Sequence, residues 1–337
     1  MYLRDISNKS YYITSYLKIK QTMGIIKRQG EKSTPDFTED DYISAIETAM
    51  NRNFYYRDKE IEISRISQTD ENELGYDGIL STVVPFYIQF KRSYFYSPQF
   101  KGALLTDRNS VSLPTNRGFY ALELLKKNGK YDQHNTMYLL SQQAKASYVA
   151  PLFYKSKDLA RLKSYGNRII PSYFNDISIY DFTNNSRYQY SKLRFFKDSI
   201  TITPHNCIND QEPSHHYSYC KNFKIGFHSE PINLENSKSE NLLSFISEIV
   251  LAEKKENTEL QVSKIFDSIP SFFNLEKDSK DITIIIQNSI NRISNNDRKE
   301  NSDLILEELT TTDKLLILED ILYEYFGIRQ LIRFERK

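Results

Sequence analysis

The stretch that decides the fold is Glu73–Lys101, which reads ELGYDGILSTVVPFYIQFKRSYFYSPQFK. Within it, the run Phe86–Lys91 alternates apolar residues with more polar ones. Alternation with a period of two residues predicts a β-strand with one apolar face. Gln89 and Lys91 then share the opposite face near the end of that strand. Asp77, which lies in a glycine-flanked turn upstream, would reach the same place from a hairpin partner strand.

An acid, an amide oxygen and an ammonium group that meet on one sheet face can hold a divalent metal and a phosphate together. The stretch therefore predicts a metal-dependent phosphate site at the end of the strand. The simpler alternative is a turn aspartate followed by the exposed half of an edge strand. A short pattern of this kind, taken alone, more often has that explanation.

Composition narrows the class of protein. The chain has 337 residues with 25 Tyr and 20 Phe, no Trp and only 10 Gly. Sparse glycine and the lack of a G-x-G-x-x-G or Walker phosphate loop argue against dinucleotide-binding and P-loop enzymes. The 2 Cys indicate a reducing compartment. No apolar leader or membrane-length apolar run is evident, so we expect a soluble, cytoplasmic protein without membrane contact.

Charge is segregated along the chain. Residues Phe86–Ile170 hold 14 Lys and Arg against 4 Asp and Glu, whereas Glu230–Phe326 hold 20 acids against 10 bases. The basic block contains the predicted site, which favours a surface that binds a polyanion. The alternative is that both blocks are only solvated faces.

Hydrophobic periodicity predicts a helix after Thr38 that carries Glu47 and ends near Met50. The order of elements predicts a mixed α/β sandwich. The further elements are strand Ile61–Ile66, loop Thr106–Asn116, helices Gly118–Lys127 and His134–Ala146, strand Tyr148–Phe153, helix Lys157–Tyr165, and strands Ile169–Tyr180 and Ser199–Thr203.

The composition and apolar spacing of the sequence change near Pro231, and we predict two domains, 1–232 and 233–337. The second is an acidic helical domain for oligomerisation or partner binding. Its apolar stripes are buried either by one another or by a second copy or partner. Its helices are predicted at Glu240–Lys254, Leu260–Ile269, Ile282–Ile293 and Leu304–Phe326.

A helix acid, a turn Asp and a Gln-x-Lys strand end, in this order, resemble the core of the PD-(D/E)XK nuclease superfamily. The resemblance covers roughly residues 36–155, and its motif is short. It implies a restriction-endonuclease-like mixed sheet flanked by helices. It also implies metal-dependent hydrolysis of phosphodiester bonds in DNA, with RNA not excluded, in the setting of a bacterial antiviral defence system.

The resemblance assigns roles to particular residues. Asp77, Gln89 and Lys91 would be catalytic, with Asp77 the principal ligand of Mg²⁺ or Mn²⁺ and Lys91 in contact with the attacking water or scissile phosphate. Gln89 and Glu47 would be further metal ligands. Gln89 departs from the usual acid, because an amide oxygen can bind the metal but adds no negative charge. Other candidates for the helix acid are Asp40, Asp41 and Glu73.

Bases and aromatic residues interleave just after the strand. Arg92 and Lys101 would hold phosphates, while Tyr94 or Tyr96 would stack on exposed bases. Packing of these aromatic residues between sheet and helix is the alternative, and it is favoured for Phe95 and Phe100.

Most His and both Cys lie close together in sequence: His205, Cys207, His215, His216, Cys220 and His228. A zinc site could draw on them, although their spacing fits no standard finger. The favoured interpretation is a hairpin whose histidines line the substrate side of the sheet.

The sequence therefore predicts a Mg²⁺-dependent DNA endonuclease that forms an oligomer or binds a partner protein through its C-terminal helices. The alternative is a catalytically inactive subunit that keeps the fold and binds nucleic acid or acts as a scaffold.

Overall fold

The computed structural model describes residues 32–50, 54–56, 59–66, 83–125, 130–164, 178–181, 186–189, 194–209, 214–228, 231–234, 238–252, 258–293 and 309–336. These residues form an α/β structure with two β-sheets and C-terminal helices. In this part of the chain, no helix is both long enough and apolar enough to cross a membrane.

The strands are β1 Lys32–Ser33, β2 Phe54–Tyr56, β3 Lys59–Ser64, β4 Val84–Phe90, β5 Tyr94–Tyr96, β6 Phe119–Glu123, β7 Lys145–Pro151, β8 Ser178–Asp181, β9 Ser186–Gln189, β10 Ser199–Ile202, β11 His216–Tyr219, β12 Ile225–His228, β13 Ile232–Leu234, β14 Ser239–Asn241 and β15 Arg329–Arg336. Within the described ranges, the larger sheet has nine strands in the order β14-β10-β7-β4-β15-β3-β2-β8-β9. The smaller sheet has six strands in the order β1-β5-β6-β11-β12-β13. β4 and β7 pair in parallel, and the other pairings are antiparallel.

The helices are α1 Glu39–Met50, α2 Ala103–Ser110, α3 Asp132–Ser141, α4 Ser156–Ser164, α5 Arg194–Lys197, α6 Leu242–Leu251, α7 Thr258–Asp267, α8 Ile269–Phe272, α9 Lys280–Ile293 and α10 Thr311–Phe326. One face of the larger sheet packs against α1 and α6. Its opposite face packs against α3, α10 and the smaller sheet.

Strand β4 lies in the middle of the larger sheet, which confirms the predicted strand but corrects its surroundings. Phe86, Ile88 and Phe90 pack toward α1. Tyr87 and Gln89, on the other face, are also buried. The edge-strand alternative is therefore wrong. The predicted hairpin partner is wrong as well, because the two neighbours of β4 are β7 and β15.

Two local predictions near β6 are also wrong. Phe119–Glu123 is a strand, whereas a helix was predicted over Gly118–Lys127. The predicted loop Thr106–Asn116 begins inside α2. Four of the five residues of β6 are buried, so its hydrophobic pattern lacks the alternation of a half-exposed strand. The other predicted helices and strands within the described ranges are present, with boundaries shifted by up to about five residues. The first part of the predicted strand Ile169–Tyr180 and the start of the predicted helix Leu304–Phe326 lie outside the described residues.

Helix α10 carries clear start and stop signals. Thr310 Oγ1 accepts a hydrogen bond from Asp313 N at 3.1 Å, and Asp313 Oδ2 accepts one from Thr310 N at 3.0 Å. The helix ends at Gly327, whose φ of 63° is left-handed. This turn directs the chain into β15, which pairs with both β3 and β4.

The predicted division between 1–232 and 233–337 does not coincide with a break in packing among the described residues, because β15 completes the larger sheet. The described part of the C-terminal apolar stripe is buried within the chain, at 9% exposure or less. Its members are Leu309, Leu315, Leu316, Leu318, Ile321 and Leu322.

Candidate functional site

The candidate site lies at the C-terminal end of β4, in the middle of the larger sheet. There, Lys91 Nζ donates a hydrogen bond to Gln133 Oε1 at 2.7 Å. Gln133 Nε2 donates in turn to the carbonyl of Phe326, the last residue of α10. Gln89 is adjacent, since a Cβ placed on Gly327 would lie 3.8 Å from Gln89 Oε1 and 3.7 Å from Gln133 Nε2. The structure thus brings Gln89 and Lys91 together, as predicted, and adds Gln133 to them.

Gln89 and Lys91 are costly residues at this position. Gln89 is 5% exposed, its Nε2 donates to Phe90 O at 3.1 Å, and its Oε1 has no hydrogen-bond partner among the described residues. An unpaired buried amide oxygen costs about 1–3 kcal/mol. Burial lowers the pKa of Lys91, and the charges of Glu39 and Glu123 act in the opposite direction. A buried polar group without a partner and a shifted pKa make this position a candidate functional site.

A cavity of about 260 Å³ opens beside Gln133. The aromatic rings of Phe273, Tyr325 and Phe326 form one part of its wall, and Lys130 and Asp132 form another. Gln133 therefore connects the cavity to Lys91. A ligand in the cavity would contact Gln133, the residue that accepts the hydrogen bond of the lysine.

The predicted helix acid, Glu47, is not part of this group. Its carboxylate pairs with Arg65 and lies 4.0 Å from Arg329 Nε. α1 packs against the face of β4 that carries Phe86, whereas Gln89 is on the other face. The structure does not bring Glu47 to Gln89.

The acids near Lys91 in the described residues are Glu39 and Glu123, which the sequence reasoning missed. Glu39 Oε2 accepts a hydrogen bond from Arg92 N at 3.2 Å. Its position in the first turn of α1 was the available signal. Asp41, another candidate, caps α1 by pairing with Thr38. Asp77 and Glu73 lie outside the described residues.

The predicted nucleic-acid contacts differ in exposure. Lys101 is exposed. Arg92 is half-buried, and its Nη1 donates to Phe37 O at 3.3 Å. The ring of Tyr94 lies 4.1 Å from Lys32 Nζ. Tyr96 is buried and stacks on Phe119, so the packing alternative holds for this tyrosine.

The His and Cys residues serve different local contacts. The predicted hairpin is present as β11 and β12. His205 Nδ1 lies 2.8 Å from Tyr217 OH, and His215 stacks on Phe227. Cys220 contacts Asn222, while Cys207 is half-buried. Within the described ranges, no group of three or more His, Cys, Asp or Glu is placed to hold a metal ion.

His134 is held between the two sheets as a neutral imidazole. Its Nδ1 lies 2.9 Å from Tyr148 OH, and its Nε2 lies 2.8 Å from Asn206 O. Because a carbonyl only accepts, Nε2 carries the proton and Nδ1 accepts from the tyrosine. Burial lowers the pKa of His134 from 6.5 to about 3.

This shift predicts a pH-dependent difference between the wild type and His134→Gln. Between pH 6.5 and about 3, the unfolded wild type binds a proton at this histidine that the folded protein does not bind. The wild type should therefore lose up to about 1.4 kcal/mol of unfolding free energy for each pH unit of acidification, a loss absent in the variant. Urea denaturation of both proteins across this range measures the difference. A constant difference would contradict the neutral buried histidine.

A second constellation lies beneath α2 and was also missed. Ser218 Oγ is 2.5 Å from His228 Nε2, and Asp107 Oδ2 is 3.4 Å from His228 Nδ1. This chain of contacts from serine to histidine to aspartate resembles the catalytic triad of a hydrolase. However, Ser218 is 0% exposed, and Arg108 Nη1 donates to the same Oγ. No substrate carbonyl can approach this serine, so the network holds α2 against the smaller sheet.

Comparisons of the chain with models of known protein families, with curated protein sequences and with solved structures gave no match. The resemblance to PD-(D/E)XK nucleases therefore remains a prediction from the motif.

Proposed function

We propose that the protein is a metal-dependent nuclease that hydrolyses phosphodiester bonds in DNA, and that its reaction takes place where β4 ends. The observation that carries this proposal is the nearness of two groups: a buried amide oxygen of Gln89 without a hydrogen-bond partner among the described residues, and Lys91, a half-buried lysine whose pKa is lowered. Both cost stability in a free protein. A ligand with an electron-pair acceptor and a negatively charged oxygen would compensate both.

We also infer a restriction-endonuclease-like core. Its support is the order of α1, β3, β4, α3 and β7, with β7 returning parallel to β4. The insertion of β15 between β3 and β4 is a feature that the motif did not indicate.

The residues fit a divalent metal only in part. The unpaired Oε1 of Gln89 is a suitable oxygen ligand for Mg²⁺ or Mn²⁺. The described residues do not complete a site, and completion would fall to Asp77. A bound metal would supply charge neutralisation and an activated water.

The protein's own side chains have separate roles in this proposal. Lys91 would contact an oxygen of the scissile phosphate, where its charge is most effective in a dry site. Gln133 would orient the ammonium group through its 2.7 Å hydrogen bond. Glu39 and Glu123 would favour the protonated form of Lys91, opposing the effect of burial.

An inactive nucleic-acid-binding or scaffold subunit is the second candidate. One observation favours it: Glu47 is engaged with Arg65, on the face of the sheet opposite Gln89. A protein of this kind would bind DNA without cleaving it, with or without a divalent metal.

The decisive experiment incubates purified full-length protein with plasmid DNA, linear DNA and RNA in Mg²⁺, Mn²⁺ or EDTA. We expect metal-dependent cleavage, and a loss of about 100-fold or more in Asp77→Asn. Asp278→Asn, which removes an exposed acid, is the matched control. Calorimetry with Mn²⁺ alone gives a readout that does not depend on cleavage. Equal Mn²⁺ binding by the wild type and Asp77→Asn would show that Asp77 is not the principal ligand.

A further inference from the structure

A larger cleft lies beyond the ends of the parallel strands β4 and β7. Two adjoining cavities, of about 620 Å³ and 290 Å³, share Tyr120, Tyr154 and Lys221 in their walls. We call them together the basic cleft, which is lined by Phe95, Arg117, Tyr120, Tyr154, Lys155 and Lys221 among others. Pockets of about 300–1,000 Å³ are typical of small-molecule sites.

Aromatic rings form one wall of the basic cleft. The rings of Phe95 and Tyr154 are parallel and stacked, with their centroids 4.9 Å apart. Tyr120 lies 5.1 Å from Phe95 and is itself stacked on Tyr219. Phe95 and Tyr154 are only half-buried, so part of their ring surface faces the cleft. A planar ligand could lie against the exposed part of these rings.

Positive charge dominates the rest of the lining. The walls contain five cationic side chains and two carboxylates, and Arg161 is 3.6 Å from Asp158. Arg117 and Lys221 are exposed, and neither pairs with a carboxylate in the described part of the chain. The charge of these two side chains is therefore available to an anionic ligand.

The walls are fixed before any ligand binds. Arg108 is 0% exposed, and its Nη2 donates to Pro114 O at 3.0 Å and to Cys220 Sγ at 3.7 Å. Pro114 and Cys220 both line the cleft, on segments far apart in sequence. Gly118 closes the same corner with a φ of 75°, and a Cβ there would be 2.7 Å from the Phe95 ring. A preorganised cleft loses less entropy on binding.

We propose that the basic cleft binds one nucleotide unit, with its base against Phe95 and Tyr154 and its phosphate between Arg117 and Lys221. Aromatic stacking and backbone cations are the two contacts by which proteins hold unpaired nucleotides. The inference rests on the proposed nuclease function for its biological setting. Phe95 follows Lys91 by four residues, so their Cα atoms are at most about 14 Å apart, and a single nucleic-acid strand could reach both. The same chemistry also fits a free nucleotide.

The test measures binding without cleavage, by fluorescence anisotropy of an end-labelled oligothymidylate on full-length protein in EDTA. Arg117→Glu combined with Lys221→Glu should weaken binding by at least about tenfold, because two phosphate contacts become repulsive. Lys264→Glu combined with Lys277→Glu changes two exposed lysines on the helical side by the same charge and should have less than about a twofold effect. Circular dichroism checks that each variant folds.

Competition separates the sources of the ligand. Thymidine monophosphate that displaces the oligonucleotide far better than inorganic phosphate supports stacking plus charge. Binding of the monophosphate without binding of the oligonucleotide would identify a free nucleotide as the ligand. Equal competition by inorganic phosphate, or equal binding by the cleft and control variants, would overturn the proposal.

The two proposals fail separately. If a cleft variant cleaves DNA with unchanged KM, the proposed role of the cleft is refuted and the proposed nuclease function stands. If the wild type binds nucleotides through the cleft but does not cleave DNA with Mg²⁺ or Mn²⁺, the proposed role of the cleft stands and the proposed nuclease function is refuted.

Discussion

Lys91→Met is expected to abolish DNA cleavage with only a small change in the stability of the protein. If Lys91 contacts the scissile phosphate, its removal should reduce cleavage by about 100-fold or more. Most DNA affinity should remain, since other bases share the backbone contacts. Burial lowers the pKa of this lysine, which means that the charged side chain is unfavourable in the free protein. Methionine of similar length removes this cost but leaves Gln133 Oε1 without its donor, so the free energy of unfolding should change by less than about 2 kcal/mol.

The measurements are plasmid cleavage in Mg²⁺ or Mn²⁺ and urea denaturation at neutral pH. Lys264→Met, at an exposed position on α7, is the matched control and should change neither result. If Lys91→Met cleaves DNA as well as the wild type, Lys91 is not part of the proposed active site. A loss of more than about 2 kcal/mol in unfolding free energy would instead indicate that the lysine has a structural role.

The sequence was informative where one periodicity was unbroken. The alternation in Phe86–Lys91 correctly predicts β4, and the signals around Thr38 correctly predict the start of α1. It failed at β6, whose sequence FYALE shows no alternation of apolar and polar residues that would distinguish a strand from a helix. It also missed β15, in which Arg333 is buried at 3% exposure. A buried arginine interrupts the apolar pattern expected of a central strand.

The site was predictable only in part for a related reason. Gln89 and Lys91 share a face because they are two residues apart on a strand, and this follows from local geometry. The choice between Glu39 and Glu47 depends on how α1 is placed. These acids are eight residues apart, or about 12 Å along a helix axis, so only one of them can reach the end of β4. Gln133 is brought in by α3 and by the turn after α10, contacts that no local pattern encodes.

The position of β15 changes what the C-terminal region is expected to do. A separate acidic helical domain for oligomerisation or partner binding was the expectation from sequence. In the structure, the chain after α10 supplies the strand between β3 and β4. Deletion of 233–337 would therefore take away the strand that joins the two halves of the larger sheet. A point substitution in β15 tests this dependence more cleanly than a truncation.

Ile332→Ala is expected to lower the free energy of unfolding by about 3 kcal/mol, because it removes buried methyl groups and leaves a cavity. Ile332 is 0% exposed and lies opposite Ser64 of β3 and Pro85 of β4. Ile232→Ala is the matched control, since Ile232 is 40% exposed on β13, at the edge of the smaller sheet. The control should cost about 0.5 kcal/mol or less. Urea denaturation followed by circular dichroism gives both values. If the two substitutions had equal small effects, β15 could not be a central strand of the sheet that positions Gln89 and Lys91.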